Sequence, residues 1–310
     1  MSIAIPTYNE EGRLAACLEA VAAQDYPLIS EILVADGGST DRTRAVAAEF
    51  DKVRILDNER KIRPAGLNVA LAAAGGDVFV RVDARAIIAP DYVSRAVEAL
   101  QLSGASVVGG PLRFSASTAQ QRGIAAAMTS RLGAGPAAFR RQEGEPRFVD
   151  TVYLGVFWTQ GLRDLGGYDD NFGGNEDAEL NHRASLADGV WLDPAIVSSY
   201  AVREGLQGLF RQYRRYGRAR AVTMQKHPSS INPRQLAIPM LFLGLGSPWR
   251  KQVVLAYAAG VLARAVVEAT KDAPAAPVMA AALPTMHVGW AIGFTEAMVL
   301  RRDMTMPGAG

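Results

Sequence analysis

The sequence is poor in the side chains that disulfide and metal sites need. Its single cysteine, Cys17, excludes a disulfide framework and a cysteine-based zinc site. Its three histidines (His182, His227 and His287) are too scattered to suggest a histidine metal cluster. The first residues also lack the basic segment and long apolar run of a signal peptide. We therefore expect the first two hundred residues to stay in the cytoplasm.

Three common sequence motifs are absent as well. No G-x-G-x-x-G follows the first expected strand and no G-x-x-x-x-G-K-[ST] occurs anywhere. These absences argue against a dinucleotide-binding dehydrogenase and a P-loop NTPase. No G-x-S-x-G is found either, which weakens an α/β-hydrolase assignment.

The length of 310 residues suggests two domains or one large one. Charge is distributed unevenly along the chain. Residues 1–200 hold 19 Lys and Arg against 26 Asp and Glu, whereas residues 201–310 hold 14 against 5. The front is thus acidic (−7) and the rear basic (+9), which together give the net charge of +2. Such a basic rear usually meets nucleic acid or anionic lipid. The apolar stretches beside it favour lipid over nucleic acid.

The front half alternates strand and helix patterns, which predicts an α/β sheet with parallel pairing. The expected strands are 2–6, 31–35, 53–57, 78–82, 106–110 and 153–158. The expected helices are 10–24, 41–50, 64–74, 90–103, 161–165 and 176–188. Residues 115–147 are rich in Ala, Gly and Arg, and we interpret them as an exposed helix and a mobile loop over the site.

The rear predicts a basic helix over 207–226, with six cations and no acid, followed by three apolar stretches: 236–246, 253–267 and 278–300. The first two are shorter than the roughly 20 residues that a membrane span requires. The third is long enough but contains Pro284, His287 and Glu296. We expect membrane association beyond residue 205 and leave spanning open. The alternative is a soluble helical subdomain that packs on the front half or on a second copy, as in a homo-oligomer.

Acidic residues follow the expected strand ends. Asp36 and Asp83 each come directly after a strand, and Glu176 and Asp177 open a helix after a glycine-rich loop. Parallel strands bring their carboxyl ends to one edge, so these carboxylates should converge. Converging carboxylates suit ribose or base binding, metal binding, or general base catalysis. Taken singly, each would pass for a loop acid or a helix cap.

Five motifs, in order, resemble those of the family-2 inverting glycosyltransferases of GT-A fold, and among them the succinoglycan-biosynthesis-type glucosyltransferases. They are Pro6–Glu11, Ala35–Asp41, Arg81–Arg85, Gly166–Asp169 with Asn175–Asp177, and Gln212–Tyr216. The resemblance implies a GT-A catalytic domain over 1–205, with a mostly parallel central sheet and helices on both faces. Its nucleotide-sugar half would cover about 1–112 and its acceptor half about 148–205, with a helical, membrane-associated region over 206–310.

The resemblance also implies an activity and its site. A hexosyl group would pass from a nucleotide sugar such as UDP-glucose to a hydroxyl of a saccharide or polyprenyl-diphosphate-linked acceptor, at the cytoplasmic face of the inner membrane. Asp177 would be the base and Glu176 would orient the acceptor. Gln212, Arg215 and Tyr216 would contact the donor diphosphate or the acceptor sugar. The nucleotide sugar would be bound by Pro6, Thr7, Tyr8, Glu10, Asp36, Gly37, Arg60, Arg63, Asp83 and Arg85.

One position departs from the family pattern. The family binds a divalent cation, Mg²⁺ or Mn²⁺, through a D-x-D that corresponds here to Asp83-Ala84-Arg85. Arginine cannot ligate a metal. Either Asp83 binds the ion with help from elsewhere, or Arg85 replaces part of the ion's charge.

Two other classes of protein fit parts of the sequence. A nucleotidyltransferase that makes nucleotide sugars would need a glycine- and lysine-rich phosphate loop near the N-terminus, where residues 8–12 are acidic instead. A non-catalytic membrane scaffold would explain the rear of the chain but gives no reason for the ordered carboxylates.

Overall fold

The structure is a computed structural model that describes residues 1–134, 144–172, 175–202, 205–231 and 237–300. The chain forms two compact units, which are treated separately below. The first contains Met1–Arg113 and Ala138–Tyr200, and the second contains Phe114–Ala137 and Ala201–Asp303. The described residues 114–134 thus group with the C-terminal helices, whereas the division expected from the sequence kept them within 1–205.

The strands and helices follow the expected order. The strands are β1 (Ser2–Thr7), β2 (Glu31–Asp36), β3 (Val53–Asp57), β4 (Val78–Arg81), β5 (Ala86–Ile88), β6 (Val107–Gly110), β7 (Leu112–Ser115), β8 (Arg147–Phe148), β9 (Tyr153–Trp158), β10 (Val190–Leu192) and β11 (Ser198–Ala201). The helices are α1 (Leu14–Ala22), α2 (Thr43–Ala47), α3 (Arg63–Ala73), α4 (Tyr92–Ser103), α5 (Ala119–Thr129), α6 (Arg131–Ala134), α7 (Thr159–Asp164), α8 (Glu176–Ser185), α9 (Leu206–Lys226), α10 (Ala237–Leu245), α11 (Arg250–Ala269) and α12 (Ala276–Leu300). The strands that the sequence did not predict have two to four residues each, too few to display a period of two.

The large sheet of the first unit is mixed, in the order β3-β2-β1-β4-β9-β6-β10-β8. Its first four strands pair in parallel, as predicted. Strand β9, however, runs antiparallel to both β4 and β6. The expectation of parallel pairing was therefore wrong for β9. Two strands that pair in parallel need a crossover connection, which carries the chain back to the other end of the sheet. Strand β9 instead begins at the end of the sheet where β6 stops, and therefore runs antiparallel to it.

Helices cover both faces of this sheet, as predicted. Alternate residues of a strand point to opposite faces, and β1 illustrates the result. Ile3 and Ile5 join a core formed with α1, α2 and α4. Ala4 joins a second core formed with α3, α7 and α8. A smaller sheet has the order β5-β11-β7.

The second unit is built around a close contact between α9 and α12. A Cβ atom added at Gly217 would lie 1.9 Å from the Trp290 carbonyl oxygen, and one added at Gly293 would lie 1.9 Å from the Arg214 carbonyl oxygen. The two backbones therefore touch where neither has a side chain, which small residues permit. Glu296 on α12 adds ion pairs to Arg214 (2.5 Å) and Arg218 (2.7 Å) of α9. The acid that would be costly in lipid is thus paired within the unit.

Helix α5 is not the exposed helix that the sequence suggested. Ile124, Ala127 and Met128 are buried in the core that α5 shares with α9 and α12. The small residues of α5 allow close packing, since a Cβ atom at Gly123 would lie 2.6 Å from the Ala275 carbonyl oxygen. Residues 135–143, where the loop was expected, lie outside the described residues.

Two helices, α11 and α12, have the length and apolar composition to cross a membrane. Helix α11 spans Arg250–Ala269 and is longer than the apolar stretch 253–267 seen in the sequence, because its flanking polar residues are helical too. It is largely exposed, and Leu255, Leu262 and Val266 are more than 60% accessible. Half of the most apolar part of α12 is buried within the unit.

We predict that Gly293→Val destabilises the second unit, because the new side chain must displace the α9 backbone. Overpacking of this kind costs about 1–3 kcal/mol. Thermal unfolding followed by circular dichroism measures the effect. Gly260→Ala on α11 is the matched control, since its Cβ atom would have only Leu132 Cδ2 near it, at 4.0 Å. It should leave stability unchanged or raise it by about 0.4–1 kcal/mol. Equal unfolding temperatures for the two variants would contradict the backbone contact.

Candidate active site

The carboxyl ends of the parallel strands form the first part of the site. The register places Thr7 beside Asp36 and Asp36 beside Asp57. On the other side of β1, the amide of Val82 donates to the Ala4 carbonyl oxygen over 2.9 Å, which extends β4 toward Asp83. Asp36, the last residue of β2, and Asp83, which follows β4, therefore lie at the same edge of the sheet.

Asp36 organises the loop that follows β2. Its carboxylate, only 1% exposed, accepts hydrogen bonds from the amides of Gly38 (3.2 Å) and Ser39 (3.0 Å), and from the Thr7 hydroxyl (3.4 Å). Arg44 adds an ion pair at 3.2 Å. A direct bond from a nucleotide base would have to replace one of these partners, so base binding by Asp36 stays a prediction.

The first two motifs are joined by Asn9, which has a φ of +52°. This left-handed conformation is several-fold more accessible to asparagine than to most residues. The Asn9 side-chain oxygen accepts from the Thr40 amide over 2.9 Å. Pro6 and Tyr8 are half-buried in this segment. Gly37 passes close to it, since an added Cβ would lie 3.4 Å from the Thr7 carbonyl oxygen.

Arg85 is held by Glu10, and this pair links the first motif to the third. Arg85 Nε donates to Glu10 Oε1 over 2.6 Å. The other oxygen, Glu10 Oε2, is buried without a hydrogen-bond partner among the described residues. Cys17 lies in the adjoining core, where burial, with smaller contributions from the charges of Asp83 and Glu10, raises the pKa of its thiol to about 12. The cysteine is therefore an un-ionised core thiol.

The centre of the site is a network of two arginines and two carboxylates. Arg81 donates to Asp83 over 3.0 Å and to Glu176 over 2.9 Å. Arg63 lies 3.2 Å from Glu176 and 4.0 Å from Asp83. The side chains of Arg81 and Glu176 are almost completely buried, at 3% and 0% exposure. The network joins β4, α3 and the first turn of α8.

Arg81 is the site residue that sequence reasoning missed. It lies within an otherwise apolar strand, and a buried cation requires partners, so its position in the sequence was a usable signal. Its guanidinium also lies over the ring of Tyr168, 5.8 Å from the ring centroid. Tyr168 is itself fixed to α3, because its amide donates to Asn68 over 2.8 Å.

The pKa values of the carboxylates at the site are shifted in opposite directions. Burial disfavours the ionised forms of Asp83 and Glu176, but the guanidinium groups of Arg81 and Arg63 outweigh it and hold both pKa values below the ordinary range. Asp177 differs. Burial and the adjacent Glu176 carboxylate raise the pKa of Asp177. A pair of acids with pKa values pushed apart is the usual arrangement of an acid–base site.

Glu176 and Asp177 are also placed differently. Glu176 is fully enclosed, and one oxygen, Oε2, lacks a hydrogen-bond partner within the described part of the chain. It cannot touch an acceptor from this position, so the expected orienting role would be exerted through the two arginines. Asp177 is half-buried, and its Oδ1 accepts only from the next amide, that of Ala178, among the hydrogen bonds described.

The remaining expected site residues lie elsewhere. Arg60 forms an ion pair with Asp170 in the glycine-rich segment before α8. Gln212, Arg215 and Tyr216 lie on α9 in the second unit, where the Gln212 side-chain amide donates to the Tyr216 hydroxyl over 2.8 Å. Their contacts with a donor or acceptor stay predictions. Across the described ranges, no three His, Cys, Asp or Glu side chains are grouped to hold a metal ion.

Solved structures identify the fold. The chain matches the mannosyltransferase PcManGT of Pyrobaculum calidifontis, in complex with GDP-Man and Mn²⁺, with a TM-score of 0.61 and 22% identity over 97% of this chain and 87% of that one. It matches S. aureus TarS 1–349 in complex with UDP with a TM-score of 0.51 and 15% identity over 95% and 90%. The fold is GT-A, as the motifs implied.

Sequence relatives identify the family. Residues 2–150 match Glycosyl transferase family 2. The chain is 33% identical to succinoglycan biosynthesis protein ExoA of Rhizobium meliloti (strain 1021), over 96% of this chain and 94% of that protein. It is 30% identical to a dolichyl N-acetyl-α-D-glucosaminyl phosphate 3-β-D-2,3-diacetamido-2,3-dideoxy-β-D-glucuronosyltransferase of Methanococcus voltae, over 73% and 74%. The chain belongs to glycosyltransferase family 2, and the resemblance drawn from its motifs is confirmed.

We predict that Glu176→Gln lowers the pKa of Asp177, because the substitution removes the adjacent negative charge that raises it. Titration of ¹³C-labelled aspartate carboxyl groups by NMR measures the shift, with Asp177→Asn assigning the signal. Glu179→Gln is the control, since Glu179 is equally buried on α8 but pairs with Arg183 at 2.7 Å. An Asp177 pKa that stays the same in Glu176→Gln, or falls equally in both variants, would remove Glu176 as its cause.

Proposed function

We propose that the chain is an inverting glycosyltransferase that moves a hexosyl group from a nucleotide sugar to a hydroxyl of a saccharide or lipid-linked saccharide. The observation that carries this proposal is the position of Asp177. It is the half-buried carboxylate of raised pKa in the first turn of α8, beside a network that keeps Asp83 and Glu176 ionised.

A nucleotide sugar is the donor that the site supports. The structural neighbours are described in complex with GDP-Man, UDP and UDP-GlcNAc. The donor would lie at the strand ends, where the Asp36 loop and the segment 6–10 meet. Three half-exposed or partly buried arginines (Arg60, Arg63 and Arg85) are available to its diphosphate, which a guanidinium can bind in a bidentate way. UDP-glucose is the donor that the family resemblance favours.

The reaction would be a single displacement. Asp177 takes the proton of the acceptor hydroxyl while that oxygen attacks the anomeric carbon. The bond from the anomeric carbon to the diphosphate oxygen breaks, and its electron pair leaves with the nucleotide. Because attack and departure occur on opposite faces, the anomeric configuration inverts. A raised pKa makes Asp177 a stronger base than an ordinary aspartate.

The arginines would stabilise the leaving group. Charge accumulates on the diphosphate as the bond breaks, and cations fixed before the reaction stabilise it without reorganising. Arg81 is enclosed by Asp83 and Glu176, so it would act by positioning those carboxylates. Arg63 is half-exposed and Arg85 is held by Glu10, so these two would face the diphosphate.

The residues present fit a divalent cation held jointly with the donor. Mg²⁺ is usually bound by one or two carboxylates together with substrate phosphates. Asp83 supplies one carboxylate, with Oδ2 only loosely engaged by Arg63 at 4.0 Å. The unpartnered Glu10 Oε2 is a second carboxylate oxygen near the site, since the charges of Asp83 and Glu10 both act on the Cys17 thiol. When bound, the ion would act as a Lewis acid toward the leaving diphosphate.

A lipid-linked acceptor at the cytoplasmic face of the inner membrane accords with several features. One relative is named for action on a dolichyl-linked sugar phosphate, and another for succinoglycan biosynthesis. The exposed apolar helix α11 and the basic rear suit a membrane surface, for which a hydrophobic anchor with cations is a stable combination. Nucleic acid is not an expected partner.

We predict that Asp177→Asn reduces transfer by roughly 10²–10⁴-fold, the contribution of a positioned general base. Donor binding should be retained, since the amide keeps the size of the side chain. Release of the nucleoside diphosphate measures turnover, and calorimetric titration with UDP-glucose, UDP-galactose, UDP-N-acetylglucosamine and GDP-mannose measures binding. Asp188→Asn, beyond the end of α8 and hydrogen-bonded to Ser106, is the control. Turnover close to that of the wild type in Asp177→Asn would exclude the residue as the base.

We predict that transfer depends on a divalent ion, but less strictly than in an enzyme whose D-x-D supplies two metal-binding carboxylates. The reason is that the Arg85 guanidinium supplies fixed positive charge. Wild type should keep part of its activity in excess chelator, and Arg85→Asp should lose all of it. Arg54→Asp is the matched control, as Arg54 is paired with Glu31 at 3.5 Å on an outer strand. If chelator has no effect on wild type, Asp83 is not a metal ligand.

A further inference from the structure

The second unit contains an apolar groove that the proposed reaction does not use. It is an open cavity of about 170 Å³ between α10, α11 and α12. Its lining residues are Leu241, Phe242, Leu245, Val253, Val254, Tyr257, Pro284, His287 and Val288.

The two polar side chains in the groove satisfy each other. His287 Nε2 lies 2.9 Å from the Leu132 carbonyl oxygen, which can only accept. Nε2 therefore carries the hydrogen, and Nδ1 accepts from the Tyr257 hydroxyl over 2.7 Å. What the groove offers to a ligand is hydrocarbon surface.

The apolar surface continues outside the groove. Leu243 on α10 and Leu255, Leu262 and Val266 on α11 are exposed by more than 60%. Large exposed apolar surfaces mark contact with a partner or a membrane. The groove therefore opens onto a surface suited to contact with lipid.

Cations lie within one helical turn of the groove. Arg250 precedes Val253 and Val254 by three and four residues, so it lies on the face of α11 that lines the cavity. Lys251 precedes Val254 by three residues, and both cations are exposed. One turn of helix is only about 5.4 Å. A ligand with a single hydrocarbon chain attached directly to a phosphate matches this spacing. A bilayer phospholipid brings two chains and a glycerol between them and its phosphate.

We propose that this groove binds the isoprenoid tail of the lipid-linked acceptor, with the phosphate attached to the tail at Arg250 and Lys251. The proposal rests on the proposed function, since it assigns a binding site to the acceptor of that reaction. It makes the second unit a substrate-binding element rather than a membrane anchor alone.

The test uses a benzophenone-bearing geranylgeranyl diphosphate with the full chain in phosphatidylcholine nanodiscs. After irradiation, mass spectrometry locates the labelled residues. We expect labelling on α10, α11 and α12 at groove residues, with competition by unmodified geranylgeranyl diphosphate. Arg250→Ala with Lys251→Ala should weaken competition by the diphosphate and leave that by geranylgeraniol unchanged. Labelling outside the groove would overturn the proposal.

Variants that fill the groove make the test specific. Val288→Trp and, separately, Val254→Trp should weaken binding of the probe, and with it the labelling, by about tenfold. A tenfold change in affinity is equivalent to about 1.4 kcal/mol of binding free energy. Val266→Trp, on the exposed apolar surface of α11 outside the groove, should leave it unchanged. Thermal unfolding identifies any variant that fails to fold. If one of the two groove variants fails to fold, the labelling of the other tests the proposal. Equal labelling in the groove and control variants, or equal competition by hexadecyl phosphate, would overturn the assignment.

Transfer assays separate this proposal from the proposed function. If wild type transfers sugar to a lipid-linked acceptor but shows no groove labelling, the groove assignment alone fails. If the groove is labelled but no nucleotide sugar is turned over, the proposed function fails and the isoprenoid site stands.

Discussion

The active site depends on the burial of one cation. Arg81 lies within a strand whose neighbouring side chains are apolar, and its guanidinium is almost without access to water. Leaving such a charge unpaired would destabilise the fold by several kcal/mol. Asp83 and Glu176 supply the compensation from two parts of the chain 93 residues apart in number. Strand β4 and helix α8 are thereby held together.

This pairing also determines the chemistry of the carboxylates. Asp83 and Glu176 are kept ionised by the arginines, and the charge of Glu176 in turn raises the pKa of its neighbour Asp177. The pKa values of two adjacent acids are thus shifted in opposite directions. The same principle appears at Arg85, whose guanidinium is held in place by Glu10 where the family motif has a metal ligand. Charge is fixed before the donor arrives, which is the condition for electrostatic stabilisation of a leaving group.

In the second unit, direct contact between two helix backbones at the α9–α12 crossing accompanies the packing of side chains. Glycines at the α9–α12 crossing let the two helices touch, and Glu296 uses two of the cations of α9. Arg220 of α9 donates to the Ser230 carbonyl oxygen. Some of the cations that made α9 resemble a lipid-binding surface therefore bind partners inside the unit. The exposed apolar surface lies instead on α10 and α11, next to Arg250 and Lys251.

By itself the sequence determined the order of the six strands that it predicted and of the main helices, the parallel pairing of β1 to β4, and the motifs that identify the family. These depend on local periodicity and on residues adjacent in the chain, both of which are visible in one sequence. Tertiary structure alone decided the antiparallel direction of β9, the burial of α5 in the second unit, and the enclosure of Glu176. Each of these depends on which distant surface a segment meets. Arg81 combines both kinds of information. Its position in an apolar strand indicates that it needs a buried partner, but only the tertiary structure shows that this partner is Glu176.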